Sequence, residues 1–415
     1  MTIKVYQADV YAKEIEATVI EKLEDNSLIL DRTIFFPEAG GQPCDLGFIN
    51  EIPLFAVAET GDNVIHKLNL ESKFHESLFE NMKCGDKVTL KLDWDRRFSN
   101  MQKHCGEHIL SGIFFREFGL VNRGFHMGND YLTIDLDTPE LSESMLAAVE
   151  LEANKVIWNN EKVTVSYYES KSETQNLPLR KELNIESDKI SVVSVGNLEN
   201  PTDCVACCGT HPHFAGEVGL IKIYWTEKYK GMVRIYFDAG LDALEDYRHK
   251  HKILSELSQI YSINAYELID KIKNKNDKYE SSLAQMKIFK EKLLGKDSIE
   301  LLEEIEVPYE EDMGQLIVRE YEDYSTNDLY YLSKLLIKSS NQLFALVSIP
   351  ETSIILETNL ENLHGFSDLG VIIKEYAKEN IESSGRGGGS RTSARIKFEC
   401  EEDLESFLLY LVDKI

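Results

Sequence analysis

Short alternating apolar runs open the chain. Val5–Val10, Glu16–Leu23, Ser27–Phe36, Phe48–Ala58 and Lys87–Asp93 each show period-two alternation or a β-rich run, with turn residues at Asp25-Asn26 and Gly61-Asp62-Asn63. Such a set predicts a small antiparallel barrel over residues 1–92. The period then changes. Asp93–Gly119 reads as one helix, with Asp93 or Asp95 as N-cap, Gly119 as stop, and Trp94, Phe98, Met101, Cys105, Ile109 and Phe115 as its apolar stripe. Beyond it, Tyr131–Leu136, Lys162–Tyr168 and Lys189–Val195 read as strands and Leu141–Trp158 as a helix starting near Ser142 or Ser144. Gly219–Trp225 and Gly231–Phe237 suggest a closing hairpin, so residues 93–240 form an α+β domain.

The remaining chain divides again. Residues 241–297 are nearly all helix formers without proline, interrupted at Ser262-Ile263-Asn264, which predicts a helical hairpin or short coiled coil linking domains. Residues 298–415 alternate helix and strand. Asn327–Lys338, Leu369–Lys378 and Glu401–Ile415 carry the helical period, Leu343–Ile349, Ser353–Glu357 and Ala394–Phe398 the strand pattern, and Gly385-Arg386-Gly387-Gly388-Gly389 reads as a loop. The fold class expected is α+β and multidomain, with an α/β C-terminal part.

Charge narrows the possibilities. The net charge of −27, from 45 basic and 72 acidic residues, disfavours broad non-specific binding of polyanions. Local exceptions exist, notably Arg386, Arg391, Arg395 and Lys397, which share a stretch without acidic residues. No apolar run is long enough to span a bilayer. The opening Met1-Thr2-Ile3-Lys4-Val5-Tyr6 lacks a signal-peptide pattern, and seven cysteines without a disulfide rhythm fit a reducing compartment, so a cytoplasmic location is the default.

The chemistry lies in two short pieces about a hundred residues apart. His104 and His108 stand four apart on the first long helix, so both imidazoles reach one face. Cys207-Cys208-Gly209-Thr210-His211 offers a second pair in a loop broken by Gly209 and Pro212. Each alone is weak, but two complementary pairs supply three histidines and a cysteine, a plausible zinc shell. Cys204, Cys207 and Cys208 compete for the sulfur position and His213 is a spare ligand. Glu107, about 100° round the helix from His108, is placed on the helix surface or behind the ligands.

These motifs, with Arg32-Thr33-Ile34-Phe35-Phe36-Pro37-Glu38-Ala39-Gly40-Gly41-Gln42-Pro43 upstream and the Gly385–Ser390 run downstream, resemble alanyl-tRNA synthetase editing domains and AlaX-type alanyl-tRNA editing proteins. The resemblance covers the whole chain in family order. It implies an N-terminal β-barrel, a zinc-binding editing domain, a helical linker and a C-terminal DHH-associated domain, and points to a standalone deacylase. It implies Zn2+ held by His104, His108, Cys207 and His211, pocket roles for Thr33 and Gln42, and a backbone turn at Gly40 and Gly41. It implies tRNA contacts at Arg386, Gly387, Gly388, Gly389 and Arg391, with dimerisation through the same domain. The expected activity is hydrolysis of mischarged tRNA(Ala), chiefly Ser-tRNA(Ala) and also Gly-tRNA(Ala). The alternatives are editing of another tRNA, such as Ser-tRNA(Thr), or tRNA binding with a purely structural zinc.

Overall fold

The computed structural model describes residues 1–128, 130–183, 189–305, 315–360, 368–380 and 382–414, so Ile415 of the expected last helix lies outside the described residues. It is a mixed α/β chain with several sheets, divided into two compact units, Met1–Ile260 and Tyr261–Ile415.

In the first unit, Glu14–Lys22 pairs with Ser27–Leu30, which pairs with Asn63–Leu68. Ile52–Thr60 and Gly47–Ile49 follow, and Lys87–Leu92 returns to Glu14–Lys22, completing a closed ring of pairings. Alternate residues fill its interior, among them Leu28, Leu30, Ile49, Ile52, Val64 and Leu90, all fully buried. Each such side chain contributes roughly 1.5–3 kcal/mol. Three expected strands differ. Ser27–Phe36 splits into Ser27–Leu30 in the ring and Arg32–Thr33, which pairs in parallel with Ile3–Lys4 in a separate sheet. Val5–Val10 is instead a helical turn at Val5–Ala8, closed by the Asp9 N–H on the Val5 carbonyl (2.9 Å), and it sets Tyr6 edge-on against Phe36. Phe48–Ala58 breaks at Asn50, whose positive φ of 53° turns the chain into a hairpin.

The helix Trp94–Phe118 starts and stops at the expected residues. Asp93 accepts the Arg96 N–H, and Gly119, at φ 67°, takes the left-handed position that ends it. Its burial is wider than a stripe. Nearly every side chain from Asn100 to Phe114 is buried, whereas Phe115 is left partly exposed. The helix is covered on one side by Leu132, Ile134, Ile235 and Phe237 of a four-stranded sheet, and by the helix Glu143–Trp158. A three-stranded sheet, Val163–Tyr168, Ile190–Val195 and Asp203–Ala206, brings in the other half of the site. Gly112 makes that approach possible: a Cβ there would stand 2.2 Å from the Thr202 carbonyl oxygen. A mid-helix glycine costs about 1 kcal/mol against alanine, and here, one turn after His108, it lets Asp203 come into hydrogen-bond contact with that histidine.

The helices Leu241–Tyr261 and Leu268–Glu304 part at Ser262, which has φ 50°. In the second unit a five-stranded sheet runs in the order Leu316–Tyr321, Leu343–Ser348, Ser353–Thr358, Ser393–Lys397, Arg386–Gly389. Three helices, Thr326–Leu336, Leu369–Glu379 and Glu401–Lys414, bury Leu329, Leu332, Ile372, Phe407 and Leu411. The glycine run expected as a loop is the edge strand Arg386–Gly389, antiparallel to Ser393–Lys397. Glycine permits this, because a Cβ on Gly387 would come within 2.2 Å of the Arg395 carbonyl oxygen. The amides at the start of the helix Leu369–Glu379 are already bonded: Leu369 and Gly370 donate to the carbonyls of Arg391 and Ser390.

Candidate metal centre

The distant pairs meet. The ligand atoms of His104, His108, Cys207 and His211 all lie within 4.8 Å of one another. The three imidazoles are buried, with ring centroids 4.7–5.1 Å apart. Cys207 Sγ is 3.3 Å from His104 Nε2 and 3.8 Å from His211 Nε2. Cys207 is therefore the thiol brought to the histidines. Cys208 is exposed and turned toward the Gly40 turn, Cys204 is buried beside Leu183 and Val192, and His213 packs on Tyr11.

Neighbouring groups orient each ligand. Gln42 Oε1 accepts from His104 Nδ1 (2.9 Å), and Asp203 Oδ2 accepts from His108 Nδ1 (2.8 Å), which leaves both Nε2 lone pairs for the centre. His108 Nε2 and His211 Nδ1 are buried and have no partner among the described residues. Burial opposes charge on His108, yet the Asp203 carboxylate and Cys207 raise its pKa, so a metal taking Nε2 displaces a proton there while Asp203 keeps the one on Nδ1. Burial alone would raise the Cys207 thiol; His104 and His211 beside it hold it well below the usual range, as a thiolate. Burial lowers His211 to about 4, so it stands neutral with a lone pair available. Orphaned imidazole nitrogens, fixed tautomers and a thiolate together fit a bound metal ion.

The loop is shaped for this contact. A Cβ on Gly209 would stand 2.2 Å from His104 Cε1, and the Gly209 N–H lies 3.4 Å from Cys207 Sγ. Gly40 and Gly41, at φ 60° and 82°, form the turn that delivers Gln42, whose amide also bonds Thr210 Oγ1 (2.8 Å). Gln42→Ala removes the His104 acceptor and this bridge together. We expect metal affinity to fall roughly 10–100-fold, as for other groups behind metal ligands, with metal retention against a chelator series as the measurement.

Thr33 stands elsewhere. It is fully buried, its hydroxyl bonded to His66 Nε2 (2.8 Å) and to the Phe35 N–H (3.1 Å), and it lines neither cavity beside the cluster. Arg386, Gly387, Gly388 and Gly389 are exposed on the edge strand of the second unit, and Arg391 follows them.

Several residues at the site were not anticipated. Ser111 and Asn122 donate to Glu107 (2.7 and 2.8 Å), which is buried rather than on the helix surface. Asp203 bridges His108 and Arg180, the latter through Nε at 2.6 Å. An acid inside the short apolar strand Asp203–Ala206 was the available signal for Asp203. A cavity of about 350 Å³ opens onto the cluster, lined by His104, His108, Cys207, Glu107, Phe125 and Arg180, among others.

The comparisons agree with this geometry. The family model described as "tRNA synthetases class II (A)" matches residues 3–96, and that described as "Threonyl and Alanyl tRNA synthetase second additional domain" matches residues 190–236. The chain is 29% identical to the alanyl-tRNA editing protein AlaX-L of Pyrococcus horikoshii, over 97% of this chain and 96% of that protein. It is 28% identical to an alanine–tRNA ligase of Pyrococcus abyssi, over 98% of this chain but 43% of the ligase. It is 27% identical to the alanyl-tRNA editing protein Aarsd1 of Bos taurus, over 72% of this chain and 66% of that protein. Cys207 and His211 lie inside the second of these matched segments, and His104 and His108 lie just after the first, on the helix Trp94–Phe118. Over nearly its whole length the chain is similar to an alanyl-tRNA editing protein of the AlaX type.

Proposed function

We propose that this protein hydrolyses the ester joining a wrong amino acid to tRNA(Ala), chiefly in Ser-tRNA(Ala) and also in Gly-tRNA(Ala), with Zn2+ at His104, His108, Cys207 and His211. One observation carries the reading: the four-ligand cluster faces a cavity of about 350 Å³ instead of being sealed in the core. A purely structural zinc site has no use for such an opening. In this reading residues 1–92 are the barrel domain, 93–240 the editing domain, 241–297 the linker and 298–415 the DHH-associated domain.

Zinc bound there supplies Lewis acidity toward a carbonyl or a water. The chain's own residues do the rest. Gln42 and Asp203 hold His104 and His108 in the binding tautomer. Glu107 lines the cavity, fixed by Ser111 and Asn122, and is suited to accept a hydrogen bond from the substrate's amino or hydroxyl group. We assign selectivity for the serine hydroxyl to Thr33, with Gln42 nearby, both acting from fixed positions: Thr33 is held by His66 and Phe35, and Gln42 by His104 and Thr210. A site that satisfies a substrate hydroxyl rejects the analogue lacking it. Contact with the tRNA backbone is assigned to Arg386, the glycine edge strand and Arg391. A homodimer through the C-terminal domain is supported by Leu409 and Val412, both exposed on the helix Glu401–Lys414.

The test is deacylation of Ser-, Gly- and Ala-charged tRNA(Ala) by purified protein, with metal content measured on the same sample. Release of serine with retention of alanine is the expected result; no serine release at any metal loading would defeat the proposal. Thr33→Val should shift the ratio of Ser- to Ala-tRNA(Ala) cleavage toward alanine. An unchanged ratio with a lower Tm would confine Thr33 to barrel packing.

A further inference from the structure

The cavity beside the cluster has a cationic wall that ester hydrolysis alone does not require. Arg180, Lys181 and Lys189 line it, opposite in sign to a chain of net charge −27. Arg180 is 6% exposed and held in place by Asp203, with Nε 2.6 Å from Oδ1 and Nη2 3.3 Å from Oδ2. Its Nη1 is buried and has no partner among the described residues. Leaving a buried donor unsatisfied is costly, and more so on a charged group, so an idle guanidinium nitrogen at a cavity calls for an acceptor. Glu107, the acidic residue of this lining, is occupied by Ser111 and Asn122 and lies 3.8 Å from Arg180 Nη2. Burial, with Arg180 beside it, lowers the Lys181 ammonium from its ordinary range despite Glu107 and Asp203 nearby.

We propose that Arg180 and Lys181 bind the phosphate group on the 5′ side of the terminal, aminoacylated nucleoside. This rests on the deacylase reading above and adds the subsite that sets the substrate's register. The Asp203 carboxylate reaches Arg180 through one oxygen and His108 through the other. A phosphate held by Arg180 therefore stands at a fixed offset from the metal ligands, and the ester one ribose away is delivered to the cluster. Arginine suits this role because its planar fork keeps one edge on Asp203 while offering another nitrogen to a phosphate oxygen.

The test uses a non-hydrolysable end mimic, 3′-seryl-amido-3′-deoxyadenosine, with and without a 5′-phosphate. Titration calorimetry measures both on the zinc-loaded wild type, Lys181→Met and Arg180→Lys. In the wild type the phosphate should tighten Kd by about tenfold or more, the scale of one charge-assisted pair. Both variants should lose most of that gain, while Lys181→Met binds the unphosphorylated mimic as the wild type does. Equal affinity for the two mimics in the wild type, or an undiminished phosphate gain in both variants, overturns the proposal. Wild-type deacylation of Ser-tRNA(Ala), run in parallel, separates the two ideas: turnover without a phosphate gain removes the subsite alone, and no turnover removes the deacylase reading.

Discussion

His108→Ala should leave a folded protein that neither retains zinc nor deacylates Ser-tRNA(Ala). The imidazole is the link between Asp203 and the cluster, and its Nε2 is one of the two orphaned nitrogens there. Truncation removes a ligand outright, and the ring it removes is 2% exposed. Losing a Lewis acid forfeits several kcal/mol of transition-state stabilisation, which corresponds to a rate loss on the order of 10³-fold. The fold should survive, because Asp203 keeps its Arg180 partner when the histidine is gone. Metal content by mass spectrometry and single-turnover deacylation check the two losses together. Wild-type turnover by a variant shown to be metal-free would falsify the metal assignment. His104→Ala should behave in the same way, with the added loss of its Gln42 contact.

How far the sequence anticipates this site depends on what each residue answers to. Capping at Asp93 and Gly119 is local chemistry, and local chemistry is readable; the helix runs between those residues. The ligand pairs were readable because metal coordination requires specific atoms at specific spacings. Their orienting partners were not. Asp203 and Gln42 reach the histidines across 95 and 62 residues, and only the packed fold decides which polar side chain arrives. Of the two places left open for Glu107, the helix surface or behind the ligands, only the second fits its burial. Helical angle locates a side chain relative to its neighbours, but this helix is enclosed on most sides, so a direction away from the ligands still ends in the interior. The Arg386–Gly389 edge strand shows a limit of composition: glycine marks flexible loops, yet its missing Cβ is also what allows close pairing with Ser393–Lys397. Thr33 carried no local sign of its bond to His66, which is set by the register of strands far apart in sequence.

The other large effect is expected at Arg97, three turns or fewer before the ligands on the same helix. Its side chain is fully buried and joins the helix to the barrel segment that presents Gln42. Nε and Nη2 bond Asp45, Nη1 donates to the Val10 carbonyl (3.0 Å), and Nη2 donates to the Ile34 carbonyl (2.6 Å). Asp45 in turn accepts the Phe36 N–H (2.6 Å), so the pair brackets the Gly40–Gln42 turn. Arg97→Met leaves the Asp45 carboxylate buried with a single donor among these partners, and breaking such a pair costs about 3–5 kcal/mol. Arg97→Met with Asp45→Asn removes the stranded charge and should recover a large part of that loss. The chain's three tryptophans, Trp94, Trp158 and Trp225, all lie in the first unit, so fluorescence-detected urea unfolding reads that unit alone. A midpoint shift at constant slope measures the cost. Because the same bonds hold the turn that carries Gln42, the single variant should also release metal to a chelator more readily than the wild type. If the double variant is no more stable than Arg97→Met, the loss comes from the carbonyl contacts at Val10 and Ile34 and not from an unpaired carboxylate.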